Sequence, residues 1–151
     1  MYPDERVVRL VTFEFVPIRV HVRDAGDVYS RVSQQLNVQW TPTVLILDED
    51  GIERHRVEGF LPVDDFLAQL KLGLARIAFQ RGAFDEAERR FRQVVDEHPQ
   101  SDPAPEALYW IGVSRYKGQG DASALAETAR AFSTRYTDSA WAKKASVWRA
   151  A

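Results

Sequence analysis

The fold is decided by one stretch of the sequence, Leu36-Asn37-Val38-Gln39-Trp40-Thr41-Pro42-Thr43-Val44-Leu45-Ile46-Leu47. Its last part, Thr43 to Leu47, is a continuous β-rich run, which predicts a strand buried on both faces. Asp48 to Gly51 then predicts a hairpin turn, because the glycine can take a positive φ. Ile52 to Val57 is the predicted partner strand. The sequence therefore indicates two antiparallel strands preceded by a loop that contains Pro42.

Upstream of this stretch, the sequence predicts two helices and one further strand. Pro3-Asp4-Glu5 is typical of a helix start, and the helix is predicted to run to Val11. Phe15 to Val22 alternates apolar and other residues, which predicts a strand. Asp24 to Asp27 breaks the chain, and Val28 to Leu36 fits a short helix.

From Pro62 onward, apolar residues recur every three or four positions, which predicts helices only. The first of these helices presents one apolar face, made of Phe66, Leu67, Leu70, Leu74, Ile77 and Ala78. A second helix is predicted from Phe84 to Val95, ahead of a proline-rich linker at 99–105. Further helices are predicted over 107–116, 122–136 and 141–148.

This helical region repeats itself. His98-Pro99-Gln100-Ser101 recurs as Tyr136-Thr137-Asp138-Ser139, and 136 − 98 gives an offset of 38 positions. Ala87-x3-Phe91, followed by Pro99, fits the pattern of the tetratricopeptide unit, which has about 34 residues. A second copy around Leu108-x2-Ile111-Gly112 is poorer. The region therefore resembles one good tetratricopeptide repeat, one degenerate repeat and a capping helix.

The first half resembles thioredoxin over roughly residues 3–80. Leu36 to Leu47 looks like that family's helix, cis-proline loop and fourth strand, and Asp50-Gly51 matches the hairpin turn that follows. Val57-Glu58-Gly59 matches the Val-Gly before the last helix, and Phe15 to Val22 looks like the third strand. The resemblance implies an α/β domain at 1–80, with a partial thioredoxin-like sheet and flanking helices. An all-α tetratricopeptide-like tail at 81–151 follows, into which the last helix of the first domain continues.

The parts of the thioredoxin fold that carry its chemistry are missing from this sequence. The family's first two strands, first helix and Cys-x-x-Cys motif would precede Met1, and the chain has no cysteine. In the family the second strand lies between the third and the fourth, so its absence leaves unpaired backbone groups that cost about 1–3 kcal/mol each. Three outcomes are open: residues 15–22 pair directly with 43–48, a partner supplies a strand, or the chain is a fragment of a longer protein. The energetic cost favours the fragment.

The resemblance places a peptide-binding site at the proline loop. It implies a cis Thr41–Pro42 bond, beside which Thr41 hydrogen-bonds an extended peptide as an added strand. Trp40 and Gly59 complete the predicted site, although Trp40 stands where the family usually has a small residue. On the helical tail, the candidates for a peptide-binding surface are Tyr109, Arg115 and Tyr116.

Composition argues against several other classes of site and partner. The 151 residues carry a net charge of −2, with basic and acidic residues interleaved, which argues against nucleic acid. No apolar run approaches the ~20 residues of a membrane helix, and the N-terminus has no secretory signal pattern. Without cysteine there are no thiolate metal sites, and the three histidines are scattered along the chain. We therefore expect a cytoplasmic protein with no cofactor, no metal and no catalytic residue.

The function predicted from the sequence is non-catalytic protein–protein interaction. The expected partner is a protein or a peptide, and self-association through the unpaired sheet edge or the open end of the repeats is a further option. The alternative is that the chain is the C-terminal fragment of a thiol–disulfide oxidoreductase whose Cys-x-x-Cys lies upstream of Met1. An in-frame Cys-x-x-Cys in the upstream DNA favours the enzyme, and a stop codon favours the stand-alone binder.

Overall fold

Two strands and seven α-helices follow one another in the part of the chain that the computed structural model describes, residues 3–23 and 26–150. The first half contains helix α1 (Glu5–Glu14), helix α2 (Asp27–Gln35), strand β1 (Thr43–Leu47) and strand β2 (Glu53–Glu58). The second half contains α3 (Val63–Gln80), α4 (Phe84–Glu97), α5 (Ala104–Gln119), α6 (Ser123–Ala131), α7 (Ala140–Ala145) and a 3-10 helix (Ser146–Ala150). The predicted fold class is confirmed, although Asp24 and Ala25 of the predicted chain break lie outside the described residues.

The predicted hairpin is present. β1 pairs with β2 antiparallel, with Ile46 opposite His55. The Asp48 carboxylate closes the turn, because it accepts from the amide of Ile52 at 2.9 Å and from the guanidinium of Arg54 at 2.7 Å. The bond from the Ile52 amide is the main cause that holds the pKa of Asp48 below its ordinary value.

β1 is covered on one face only, so the prediction of a strand buried on both faces is wrong. Ile46 is buried, and it packs with Val44 against residues of α1 and α3. Leu45 is only half-buried, and Leu47 is 38% exposed. Helix α2 buries none of its side chains. Within residues 3–23 and 26–150, the second face of the sheet therefore has no packed layer of its own.

Residues 15–22 form no strand, which contradicts the prediction made for them. Val16 is 90% exposed and Ile18 is 85% exposed. A strand needs a neighbour that shares its backbone hydrogen bonds, and among the described residues β1 and β2 pair only with each other. Direct pairing of 15–22 with 43–48 is therefore wrong as well. The alternation of apolar residues in the sequence shows which side chains could share a face. It does not show whether a partner strand is present.

Helix α1 begins where the sequence predicted. The Asp4 carboxylate accepts from the amide of Arg6 at 2.9 Å and so caps the helix. Val7 is buried with Ile46 and Phe66 in a small apolar cluster against the sheet. The helix continues past its predicted end at Val11 as far as Glu14.

Helix α3 is buried on two sides, and the apolar face predicted for it is only one of them. Toward α1 and the sheet it buries Phe66, Leu67 and Leu70. Toward the other helices it buries Ala68, Leu72, Ala75 and Ala78. Gly73 lets the helix approach the sheet closely, since a Cβ at this position would lie 2.3 Å from Cδ1 of Ile46.

The core of the helical half lies between α3, α4, α5 and α6. Phe91 and Phe132 are its largest fully buried side chains. Where α5 crosses α6, a Cβ at Gly112 would lie 2.1 Å from Oγ1 of Thr128. The glycine of the degenerate repeat motif therefore sits at the closest approach of the two helices.

The start of α5 and the end of α6 differ from the prediction. Helix α5 begins at Ala104 rather than at Ala107, with Pro105 in its first turn, where a missing N–H removes no helical bond. Helix α6 ends at Ala131 rather than at Tyr136. The hydroxyl of Tyr136 donates to the carbonyl of Pro99 at 2.7 Å, and the residue has a φ of 55°. This bond ties the turn after α6 to the linker instead of extending the helix.

Candidate peptide-binding site

The loop between α2 and β1 carries three of the residues predicted to bind a peptide. The Thr41–Pro42 peptide bond is cis, as predicted. The hydroxyl of Thr43 donates to the carbonyl of Trp40 at 2.7 Å and closes the loop. Trp40 is 67% exposed, and Thr41 beside it is also exposed. An aromatic side chain and a threonine are therefore adjacent on the surface.

Gly59, the fourth predicted residue, lies across the hairpin from this loop. Its amide donates to the carbonyl of Pro42 at 2.8 Å, next to the last strand pair, Thr43 and Glu58. Gly59 has a φ of 84°, which residues with a Cβ rarely adopt. The structure therefore joins Pro42 to Gly59 directly and leaves Trp40 exposed beside them.

The backbone of Thr41 makes no hydrogen bond to any other residue that the structure describes. Exposed backbone groups next to a strand are able to pair with a further extended chain. This part of the loop therefore exposes backbone groups that are not used within the described chain.

Arg56 fixes the loop, a role that no sequence pattern indicated. Its guanidinium donates to the carbonyl of Leu36 at 2.6 Å and to that of Asn37 at 3.1 Å. It also pairs with the carboxylate of Glu53 at 2.7 Å, which raises the pKa of Arg56. The end of α2 is thereby tied to β2 by charge-assisted hydrogen bonds. Its carbonyl partners lie 20 and 19 positions away in the sequence, so no local pattern could have signalled them.

The three residues predicted for the helical surface have different surroundings. Tyr109 packs between Trp148 and Trp141, with ring centroids 4.6 Å and 5.1 Å away. Arg115 pairs with Glu127 of α6 at 2.7 Å, so its charge is compensated within the chain. Tyr116 is 44% exposed. Of the three, Tyr116 is the side chain most available to a partner.

A cleft of about 200 Å³ opens between β2 and helices α3 and α5. Its walls are formed by Glu53, Arg54, Arg76, Phe79, Gln80, Phe91 and Trp110. The indole N–H of Trp110 is buried and has no hydrogen-bond partner among the described residues. Its ring packs edge-on against Phe79, with centroids 5.0 Å apart. The cleft therefore has aromatic and charged walls, while the unpaired indole nitrogen is shielded from solvent.

The three histidines do not come together. His55 and His98 are buried in different places, where their rings contact Gln69 and Lys71 respectively. Over residues 3–23 and 26–150, no group of three or more His, Cys, Asp or Glu side chains is arranged to hold a metal ion. Within the same ranges, no helix has both the length and the apolar character needed to cross a bilayer.

Comparison with known families agrees with this division of the chain. A model described as a thioredoxin-like domain matches residues 2–73, which include α1, α2, both strands and the start of α3. A model described as a tetratricopeptide repeat matches residues 67–101, which include most of α3 and all of α4. No curated protein and no solved structure matches the chain significantly. The resemblance inferred from the sequence is therefore confirmed: the chain contains a thioredoxin-like domain that runs into a tetratricopeptide repeat through the shared helix α3.

Proposed function

We propose that this chain is a non-catalytic interaction protein that binds an extended polypeptide at the cis-proline loop. The observation that carries the proposal is the exposed pair Trp40–Thr41 beside the cis peptide bond, held in place by the bond between Gly59 and Pro42. The free backbone of Thr41 would pair with the bound chain, and the indole of Trp40 would cover one of its apolar side chains.

The anchoring by Arg56 supports this proposal. Because its guanidinium holds the carbonyls of Leu36 and Asn37, the loop is ordered before a peptide arrives. A loop that is already ordered loses less conformational entropy on binding. This lower entropic cost supports a binding role for the loop.

The helical half offers a second contact within the same proposal. Helical repeats bind polypeptides on extended surfaces, and here the cleft beside Trp110 and the exposed Tyr116 are the available features. Self-association through the open sheet edge, or through the open end of the repeats, is also part of this proposal.

The test is a binding titration with a labelled probe. The probe is an unstructured peptide of alternating valine, threonine and lysine, followed by fluorescence anisotropy with the wild-type chain and two variants. Trp40→Ala removes the exposed indole, and we expect Kd to rise at least tenfold. Phe60→Ala is the matched control, since Phe60 is a similarly exposed aromatic at 74% but lies beyond Gly59. Equal effects of the two substitutions, or no binding by the wild-type chain, would contradict the proposal.

A further inference from the structure

A histidine lies at the contact between the sheet and the helical half. His55 belongs to β2, and only 8% of its surface is exposed. Its Nε2 lies 2.6 Å from Oε1 of Gln69, and its Nδ1 lies 3.3 Å from a guanidinium nitrogen of Arg76. Both of these partners belong to α3. The ring is therefore enclosed, and each of its nitrogens has a partner.

Only the neutral imidazole satisfies both contacts. Arginine donates hydrogen bonds and accepts none, so Nδ1 of His55 accepts from Arg76 and the ring proton is on Nε2. A second proton on Nδ1 would place two N–H donors and two positive charges against each other. Because the ring is buried, an N–H group without an acceptor is costly there. Arg76 would therefore have to move away if His55 gained a proton.

Two carboxylates also face His55, and both are engaged elsewhere. They are Glu53 of β2 and Glu106 of α5. Glu53 pairs with an arginine of its own strand at 2.7 Å, and Glu106 pairs with Arg76. Burial is the main cause that lowers the pKa of His55, and the charge of Arg76 acts in the same direction, against Gln69 and the two carboxylates. Among the described groups that face the ring, none is a free acceptor for a second proton.

Arg76 has space into which it can move. Its side chain is 35% exposed, and it forms part of the wall of the cleft of about 200 Å³ between β2 and helices α3 and α5. One terminal nitrogen of the guanidinium contacts His55, and the other pairs with Glu106. Loss of the first contact therefore leaves the second in place. Glu53 lines the same cleft and offers a carboxylate to the released nitrogen.

We propose that His55 is a proton-controlled latch for this cleft. While the imidazole is neutral, it holds the guanidinium of Arg76 against β2, and the cleft is open. When the imidazole is protonated, the guanidinium turns from His55 into the cleft toward Glu53 and narrows the space beside Trp110. This inference concerns the cleft and does not require that a polypeptide bind at the cis-proline loop.

His98 provides a matched control within the same chain. Its Nε2 lies 3.2 Å from Nζ of Lys71, which also belongs to α3. Lys71 only donates, so this ring is also a neutral acceptor beside a cation. The described wall of the cleft includes neither His98 nor Lys71. Protonation of His98 is therefore expected to leave the cleft unchanged.

The test is an NMR titration of the full chain from about pH 8 to about pH 4, which spans the usual range of histidine. It follows the imidazole of His55, the Nε–H of Arg76 and the indole N–H of Trp110. We expect the Arg76 and Trp110 signals to shift with the same midpoint as the imidazole. These shifts should be lost in His55→Asn, whose amide does not titrate, and kept in His98→Asn. Constant Arg76 and Trp110 signals while His55 titrates would overturn the inference.

A second variant tests the inference even if His55→Asn does not fold. Arg76→Gln removes the cation that faces Nδ1, so the midpoint of His55 should shift to higher pH, and the response of Trp110 should be lost. An unchanged midpoint would overturn the inference, because Arg76 would then not oppose protonation. Loss of all native signals at the midpoint of His55 would overturn it as well, since the histidine would then report only unfolding.

The binding titration separates this inference from the proposed function. Trp40→Ala should weaken binding of the valine–threonine–lysine probe and leave the titration of Arg76 unchanged. A wild-type chain that does not bind the probe would contradict the proposed function, but the NMR shifts would still support the latch. A wild-type chain that binds the probe while Arg76 stays fixed would contradict the latch alone.

Discussion

A guanidinium nitrogen of Arg76 lies 3.3 Å from Nδ1 of His55, and this contact joins strand β2 to helix α3. Arginine only donates, so Nδ1 accepts and the imidazole proton is on Nε2. That nitrogen lies 2.6 Å from Oε1 of Gln69, to which it donates. Arg76 also pairs with Glu106 of α5. A neutral histidine is thus fixed between the sheet and the repeat.

We predict that the chain becomes less stable as the pH falls below the ordinary histidine pKa of 6.5. Burial lowers the pKa of His55 below its ordinary value of 6.5, and the charge of Arg76 adds to this. The unfolded chain therefore binds a proton at a higher pH than the folded chain does. The free energy of unfolding should be greatest above the unfolded pKa and should decline below it. Urea denaturation at a series of pH values measures this slope.

The control for the pH prediction is His55→Asn, which removes the titrating ring. His98 is expected to act in the same direction, because burial and then Lys71 lower its pKa. The slope should therefore decrease in His55→Asn and decrease again when His98→Asn is added. A slope that both substitutions leave unchanged would mean that other groups cause it.

A second prediction concerns the close approach of α3 to the sheet. Gly73→Ala would place a methyl group 2.3 Å from Cδ1 of Ile46, and overpacking of this kind costs about 1–3 kcal/mol. The better helix propensity of alanine returns up to about 1 kcal/mol. We therefore expect a net loss of stability in urea or thermal denaturation.

The matched variant is Ile46→Val, which deletes the crowding Cδ1 atom. On its own it should cost about 0.5–1.5 kcal/mol. When it is added to Gly73→Ala, the Ile46→Val substitution should lower the free energy of unfolding by less than it does alone, or should raise it. Strict additivity of the two changes would show that the methyl groups do not compete for the same space.

A third prediction concerns the anchor of the cis-proline loop. Arg56→Ala removes charge-assisted bonds to the carbonyls of Leu36 and Asn37, and it should cost about 1–3 kcal/mol. Hydrogen exchange of the amides between Asn37 and Trp40 should accelerate more than exchange in α4. Arg92→Ala is the control, since its surface pair with Glu88 is worth at most about 1 kcal/mol. Similar losses in both variants would contradict the anchoring role.

A fourth prediction concerns redox chemistry. Dithiol exchange needs a thiolate, and this chain has no cysteine. The purified chain should leave the rate of insulin reduction by dithiothreitol unchanged, while a thioredoxin run in parallel should accelerate it. Measurable acceleration by the chain would refute the proposal that it is non-catalytic.

Local signals explain what the sequence predicted well. The hairpin depends on short-range features, such as Gly51 in the turn, and it is present. The cis Thr41–Pro42 bond, which the resemblance to thioredoxin implied, is present as well. The helices also follow from local spacing, which is why α1, α3 and α4 begin close to their predicted positions.

Long-range pairing explains what the sequence could not predict. Residues 15–22 have the alternation of a strand, but pairing depends on a neighbour that local sequence does not specify. The hydrogen bond from Arg56 to the carbonyl of Leu36 joins positions far apart in the chain. The second buried side of α3 was missed because its alanines and Gly73 are too small to stand out in a pattern of large apolar residues.

Helix α3 belongs to both halves of the chain, because the two family matches overlap within it at residues 67–73. This helix packs against α1 and the sheet on one side and against the other helices on another, so both halves share it. Removal of the residues after Gln80 would expose Ala68, Leu72 and Ala75, which the following helices bury. We therefore expect the two halves to unfold in a single transition.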